Sequence, residues 1–425
     1  MTGYRALAQN RDFTILWTGQ TISDLGSNVS MFVFPLVAYA LSGSALWAAV
    51  VEAAFLLGMC GALLPAGVLA DRVDRRLLMR TASGAGVLLY ASLAAAGAWG
   101  VLTVPHLAVV ALLTGIASGI AAPAEISAIR SVVSPDELST ALSQSQARQH
   151  IAALVGGPLG GVLLAITRWL PFAFDAVSFA VYWVVLGRLR TDLAAPRREG
   201  PPRKPHHDVA EGIRFILRWP YFRATAVWGA LANLLVNAMF FVAILRMVQD
   251  GVTPAVIGLV STAAGVGGIL GAIAAPWIIE RMPTGALVVA VAWSFVPLVV
   301  PMVLWDSPAV VGAAIFVGLL LNPAGNAGSG SYRIAHTPAD LQGRASSASQ
   351  FLSMSVIWVA PLLGGALLAT LGGPEAIAVI GGLVALSALI PTLSRSVRSV
   401  PRPAVWQAEL AAPHAVRDEM AGVRA

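Results

Sequence analysis

A succession of about twelve apolar stretches, most of them about 20 residues or longer and joined by short connections, is the strongest constraint in this sequence; a long basic segment interrupts it once. A stretch of about 20 apolar residues, rising 1.5 Å per residue as a helix, crosses a bilayer core of about 30 Å. Charged residues make up only 11% of the chain, far below the roughly 25% of soluble domains. A soluble globular fold is therefore excluded, and the chain reads as an all-α integral membrane protein.

The spans are placed at Phe13 to Ala40, Ala45 to Leu69, Met79 to Gly100, Pro105 to Ile129, Ala141 to Ala165 and Trp169 to Gly187, then at Tyr221 to Val248, Pro254 to Ile279, Gly285 to Leu304, Pro308 to Ser331, Ala345 to Thr370 and Glu375 to Leu393. Connections this short leave no room for a soluble enzyme domain. The organisation expected is a six-helix bundle over 1–189, a basic linker over 190–220, a second six-helix bundle over 221–395 and a tail over 396–425. Cys60, the one cysteine, lies inside a span, which excludes an intrachain disulfide and a cysteine metal cluster.

A pI near 10.1 raises nucleic acid as a partner, but the placement of the arginines argues for topology instead. With an even number of spans both termini share one side, and that side gathers Arg5, Arg11, Arg72, Arg75, Arg76, Arg80, Arg130, Arg188, Arg281, Arg333, Arg344, Arg395 and the linker, against Arg168 and Arg246 opposite. The positive-inside rule then makes the termini cytoplasmic. Abundant alanine and arginine beside a single lysine suit a GC-rich bacterial source and hence the cell inner membrane.

Four prolines and four basic residues between Pro196 and Pro205 rule out a buried helix in the linker. Its end, Asp208 to Trp219, carries Val209, Ile213, Ile216 and Leu217 near helical spacing. That pattern predicts a short helix at the inner surface, held by apolar contact and anionic headgroups.

The two halves repeat. Gly115, Arg130, Pro135, Leu138, Pro158 and Gly161 recur at a constant shift as Gly318, Arg333, Pro338, Leu341, Pro361 and Gly364. Two pseudo-symmetric six-helix bundles describe a transporter with its substrate site between them near the midplane.

The run Gly67-Val68-Leu69-Ala70-Asp71-Arg72-Val73-Asp74-Arg75-Arg76 resembles the signature of the loop between helices 2 and 3 in the major facilitator superfamily. Asp74 stands where the family has its third glycine. Asn10 to Phe13, Leu16-Trp17, Gly19-Gln20, Ser42 to Ala45 and Thr337 to Arg344 resemble the superfamily's drug-efflux branch of macrolide and siderophore exporters. The resemblance implies the major facilitator fold and a cytoplasmic gate formed by Gly67, Asp71, Arg72, Arg75 and Arg76. It also implies a cavity lined by helices 1, 2, 4, 5, 7, 8, 10 and 11. Two motifs depart from the family: Leu112, Leu113 and Thr114 stand where helix 4 carries an arginine, and the helix-5 motif is altered to Gly157-Pro158-Leu159-Gly160-Gly161. Gly157, Pro158 and Gly161 allow bending and tight packing, so helix packing and an antiport role both remain open for them.

An ionisable side chain at bilayer depth costs about 2.5 kcal/mol or more and needs a partner, a wet cavity or a function. Asp24 lies in helix 1 with Asn28 one turn later on the same face. Glu52 lies roughly 10 Å below the outer surface in helix 2. Glu125 of helix 4 and Arg148 of helix 5 lie near the cytoplasmic ends of their helices and are candidates to pair. The cavity rule favours Asp24 and Glu52 as proton or cation sites and leaves Asp175 of helix 6 as a structural or interfacial residue. Asn233 with Asn237, and Asn322 with Asn326, form amide faces open to substrate contact or to interhelical hydrogen bonds.

These readings converge on a secondary active transporter, not an enzyme, exporting a hydrophobic or amphipathic small molecule in exchange for protons. No cofactor or metal is expected, since no phosphate-binding Gly-x-x-x-x-Gly-Lys run is present and His206-His207 has no ligand companions. The expected partners are the substrate, protons and anionic lipids, with no nucleic acid, and the expected state is a monomer. A metabolite facilitator or importer and a non-transporting sensor are the alternatives.

Overall fold

A computed structural model of the chain describes residue 7 and residues 9–134, 136–194, 205–338 and 341–411; side chains are left out at 63–65, 67, 68, 70–72, 139, 205–209, 343 and 411. Among the described residues the regular elements are all helices, and 12 of them are long and apolar enough to cross a membrane. The first half comprises α1 (Arg11–Ser42), α2 (Ala45–Arg72), α3 (Arg75–Ala98), α4 (Val104–Val132), α5 (Leu138–Ile166) and α6 (Leu170–Gly187). The second comprises α7 (Pro220–Gln249), α8 (Pro254–Arg281), α9 (Thr284–Trp293 and Val299–Leu304), α10 (Pro308–Leu319 and Asn322–Ala335), α11 (Gln342–Met354 and Val359–Leu371) and α12 (Gly373–Leu393).

Local chemistry fixes the ends. The Asn10 side chain accepts from the backbone N–H of Phe13 to cap α1, and Gly43 ends that helix in the left-handed region at φ 65°. Asp74, the residue in place of the family's glycine, caps α3 by accepting from the N–H groups of Arg76 and Leu77 at 2.7 and 3.1 Å. This cap starts α3 four residues before the predicted Met79. The first half is close-packed through glycine: a Cβ on Gly115 of α4 would fall on the carbonyl of Phe55 in α2.

Three helices of the second half are interrupted near mid-membrane, which the apolar pattern did not foreshadow. The breaks fall at Ser294–Leu298 in α9, Leu320–Leu321 in α10 and Ser355–Trp358 in α11. Pro297, Pro301 and Pro323 remove N–H donors beside the first two. In α11 the carbonyl of Met354, last residue before the break, accepts from the Cys60 thiol of α2 at 3.2 Å, a contact between the halves.

The linker helix runs Pro205–Arg218 and packs on protein. A Cβ on Gly212 would meet the backbone of Arg344 in α11, Ile216 is buried, and Glu211 pairs with Arg344 at 2.7 Å. Residues past α12, read in the sequence as a plain tail, fold back onto the second half. Thr284 and Gly285 donate N–H to Pro401 and Val400 at 3.1 Å each, and Trp406, 3% exposed, donates to Thr284 Oγ1. A tryptophan sheltered against Tyr332 at 5.5 Å between ring centres gives that segment its anchor.

The halves meet along two seams, both toward the face opposite the termini. In one, a Cβ on Gly161 of α5 would land on the Pro254 carbonyl of α8, and Gly157 and Gly258 lie backbone to backbone. In the other, Gly365 of α11 packs on Ala45 and Ala49 of α2. Small residues allow this approach of helix backbones.

Candidate functional site

Behind these seams lies a cavity of about 240 Å³ between the halves. It is walled by α1, α2, α5, α7 and α8, and its polar lining is Asn28, Glu52, Asn237 and Ser261. Glu52 is the one ionisable side chain among the lining residues; the rest of the wall is apolar, with Phe32, Phe240 and Phe241 prominent. Such a chamber suits an amphiphile: the rings accept apolar bulk, and one carboxylate with two amides orients a polar or cationic group.

Three of the sequence candidates, Asn28, Glu52 and Asn237, are thus brought together from both halves. Asn237 also donates to the Asn233 carbonyl at 2.7 Å, so Asn233 stands one turn behind it. Asn322 and Asn326 are not among the lining residues; the Asn326 amide donates to Asn322 Oδ1 at 2.7 Å and Asn326 is exposed.

Asp24 lies one turn below Asn28, whose amide donates to its carbonyl at 2.8 Å. Its carboxylate pairs with Arg148 of α5 at 3.3 Å, the arginine side chain being 1% and the aspartate 24% exposed. The candidate pairing of Arg148 with Glu125 is met only at a distance: among the described residues no direct ion pair joins them and Glu125 Oε1 accepts from the Tyr182 hydroxyl of α6 at 3.1 Å, while the Arg148 charge acts on Glu125 across the gap. Depth along a helix had matched Glu125 to Arg148, whereas helix rotation turns Arg148 toward α1. Tyr182 carried no signal in the sequence, because its role depends on contact between helices remote in the chain.

Of the loop motif, the side chains of Gly67, Asp71 and Arg72 lie outside the described residues. Arg75 donates to Ser131 Oγ of the first half at 2.9 Å and Arg76 to the carbonyl of Thr191, at the start of the linker, at 2.7 Å. Gly157, Pro158 and Gly161 sit at the α5–α8 seam, and α5 runs as one helix through Pro158. Among the described residues no group of three or more His, Cys, Asp or Glu side chains forms a metal site.

Residues 16–249 match the Major Facilitator Superfamily, more than half of the chain, and the protein belongs to that superfamily of membrane transporters. It is a multi-pass membrane protein of the major facilitator fold. The multidrug efflux pump Tap of Mycolicibacterium fortuitum is 27% identical over 261 residues, 58% of this chain; the match spans 62% of that pump, less than two thirds of its length. Among solved structures, a bacterial homologue of the human lysosomal transporter Spinster, inward-facing and unoccupied, superposes with a TM-score of 0.69 at 13% identity, covering 91% of this chain and 97% of its own. A bacterial homologue of the iron transporter ferroportin, also inward-facing, gives 0.65 at 18% identity over 89% of this chain and 97% of its own. The nucleoside transporter NupG gives 0.67 at 11% identity over 90% of this chain and all of its own. At these identities the structures speak for the fold alone.

Proposed function

We propose that the protein is a secondary active exporter of the bacterial inner membrane that expels a hydrophobic or amphipathic small molecule in exchange for protons. The observation that carries this reading is the cavity between the halves, apolar and aromatic except for Glu52 and its amide neighbours. Glu52 is the site where proton and substrate compete, and the Asp24–Arg148 pair one turn below Asn28 is the second acidic site of the same path. Both termini are cytoplasmic, so the two seams close the outer side, and the loop of Asp71, Arg72, Arg75 and Arg76 closes the inner side in the alternate state. Exposed Arg130 and Arg188 face anionic headgroups on that inner side. The protein works as a monomer, with the proton gradient as its energy source and no cofactor. The low-identity likeness to an efflux pump supports the outward direction.

The test is accumulation of a panel of dyes and antibiotics in cells expressing the protein, with and without an uncoupler. At least one compound is expected to accumulate less in expressing cells than in controls, and the uncoupler to erase the difference. Equal accumulation across the panel, or a difference indifferent to the uncoupler, sinks the proton-driven export reading.

A further inference from the structure

The residues Asn10 to Phe13 at the start of α1 have no part in the transport path above, yet four elements meet there. Asn10 donates to the Val132 carbonyl at the end of α4 at 2.8 Å. Asp12, 8% exposed, gathers the chain that leaves α6: its Oδ2 accepts from the Arg190 N–H at 2.8 Å, the Thr191 N–H at 2.6 Å and the Thr191 hydroxyl at 2.7 Å. Leu189 and Leu193, to either side, are buried in the apolar core of the first half. This strap carries the loop between α2 and α3 in turn. Arg76 donates to the Thr191 carbonyl at 2.7 Å and the Arg75 N–H to the Leu193 carbonyl at 3.2 Å, while Nε of each arginine is buried without a partner.

The second half repeats the strap. Pro401 and Val400, past α12, accept from the N–H groups of Thr284 and Gly285 at the start of α9, as Leu193, past α6, accepts from Arg75 at the start of α3. There the hold on α9 comes from these backbone bonds and from the aromatic anchor Trp406. In the first half a carboxylate supplies the hold, and it does so on the strap that bears the gate arginines. Hydrogen bonds to a carboxylate are among the strong ones, and three on one oxygen fix Thr191 so that its carbonyl faces Arg76.

We propose that Asp12 is a positioning residue of the transport cycle: by fixing Thr191 it keeps Arg76 and Arg75 against the first half and favours the state open toward the face of the termini. The unpaired Nε–H groups then find partners only when the loop engages the second half. This role rests on the reading of that loop as the gate of the termini face, and it is independent of substrate and of proton coupling.

The test is labelling of Ser261→Cys, in the cavity wall, in full-length protein that also carries Cys60→Ser, with an impermeant thiol reagent applied to either face of oriented membrane vesicles. Asp12→Ala is expected to lower the ratio of the two rates, termini face over opposite face, by about fivefold, and Asp12→Asn, which keeps an oxygen acceptor, to lower it less. Should Asp12→Ala not fold, Thr191→Val removes one donor and leaves the strap, and it is expected to lower the ratio by about twofold. A clasp that only stabilises the fold lowers the Tm of these variants and leaves the ratio where it was, which overturns the proposal, as does a ratio that rises. A parent protein labelled from the opposite face alone overturns the gate reading together with it, whereas a parent labelled from the termini face and a ratio unmoved in the variants overturn the role of Asp12 only.

Discussion

Glu52→Gln is expected to lower export of a cationic dye at least tenfold while leaving the amount of protein in the membrane unchanged. The amide keeps the shape of the side chain and its hydrogen bonding, and Glu52 has no ion pair among the described residues whose loss would unsettle the fold. What disappears is the one charge on the cavity wall. A hydrogen bond to a charged group is worth about 1.5–3 kcal/mol, which corresponds to about 10- to 100-fold in binding, and the exchangeable proton is lost with it. Asp24→Asn is expected to behave differently. It takes from Arg148, 1% exposed, its direct ion pair and leaves only the more distant Glu125, and breaking such a buried pair costs about 3–5 kcal/mol. The result is less folded protein, read by detergent-extracted yield and Tm, before any effect on transport is counted. Full dye export by Glu52→Gln removes that carboxylate from the coupling mechanism.

Gly258→Leu is expected to force open the α5–α8 seam, which on the proposed orientation closes the outer side. A side chain there starts from a Cβ that would overlap the Gly157 carbonyl and press on the Pro158 backbone, neither of which has a rotamer to move. Overpacking of this kind costs about 1–3 kcal/mol. Because the cost falls only on the state in which α5 and α8 touch, it shifts the population toward the opposite opening by about 5- to 150-fold. The readout is a cysteine at Ser261, which lines the cavity, in a Cys60→Ser background. A membrane-impermeant thiol reagent added outside is expected to label it at least about tenfold faster when Gly258→Leu is present. Equal labelling means that this seam does not control access from that side.

How much of this was legible in the sequence depends on what each feature requires. The twelve spans, the division into halves and the side shared by the termini come from apolar length and arginine placement, both local properties of the chain. The gathering of Asn28, Glu52 and Asn237 was also within reach, because two of them combine polarity with depth in helices that the family resemblance assigns to the cavity. The partner of Arg148 was not, since counting residues from a helix end gives depth and leaves rotation about the axis undetermined. Asn322 and Asn326 share a helical face, as their spacing says, and there they hydrogen-bond to each other. The break in α11 has no proline at Ser355–Trp358, and the docking of Trp406 needs the aromatic surface of α7 and α10 to be assembled first. Tertiary contacts supply both, and no local pattern encodes them.

The central claim is that a passage between two moving bundles opens to one side at a time. The most direct measurement is a pair of spin-label distances in the Cys60→Ser background. One pair sits on the face of the termini, at Ser131 and Ile334, and the other on the opposite face, at Ser44 and Thr370. Addition of a transported dye, or a change of pH, is expected to shorten one distance while lengthening the other. Two distances that stay fixed under every condition, in protein shown to export the dye, would contradict it.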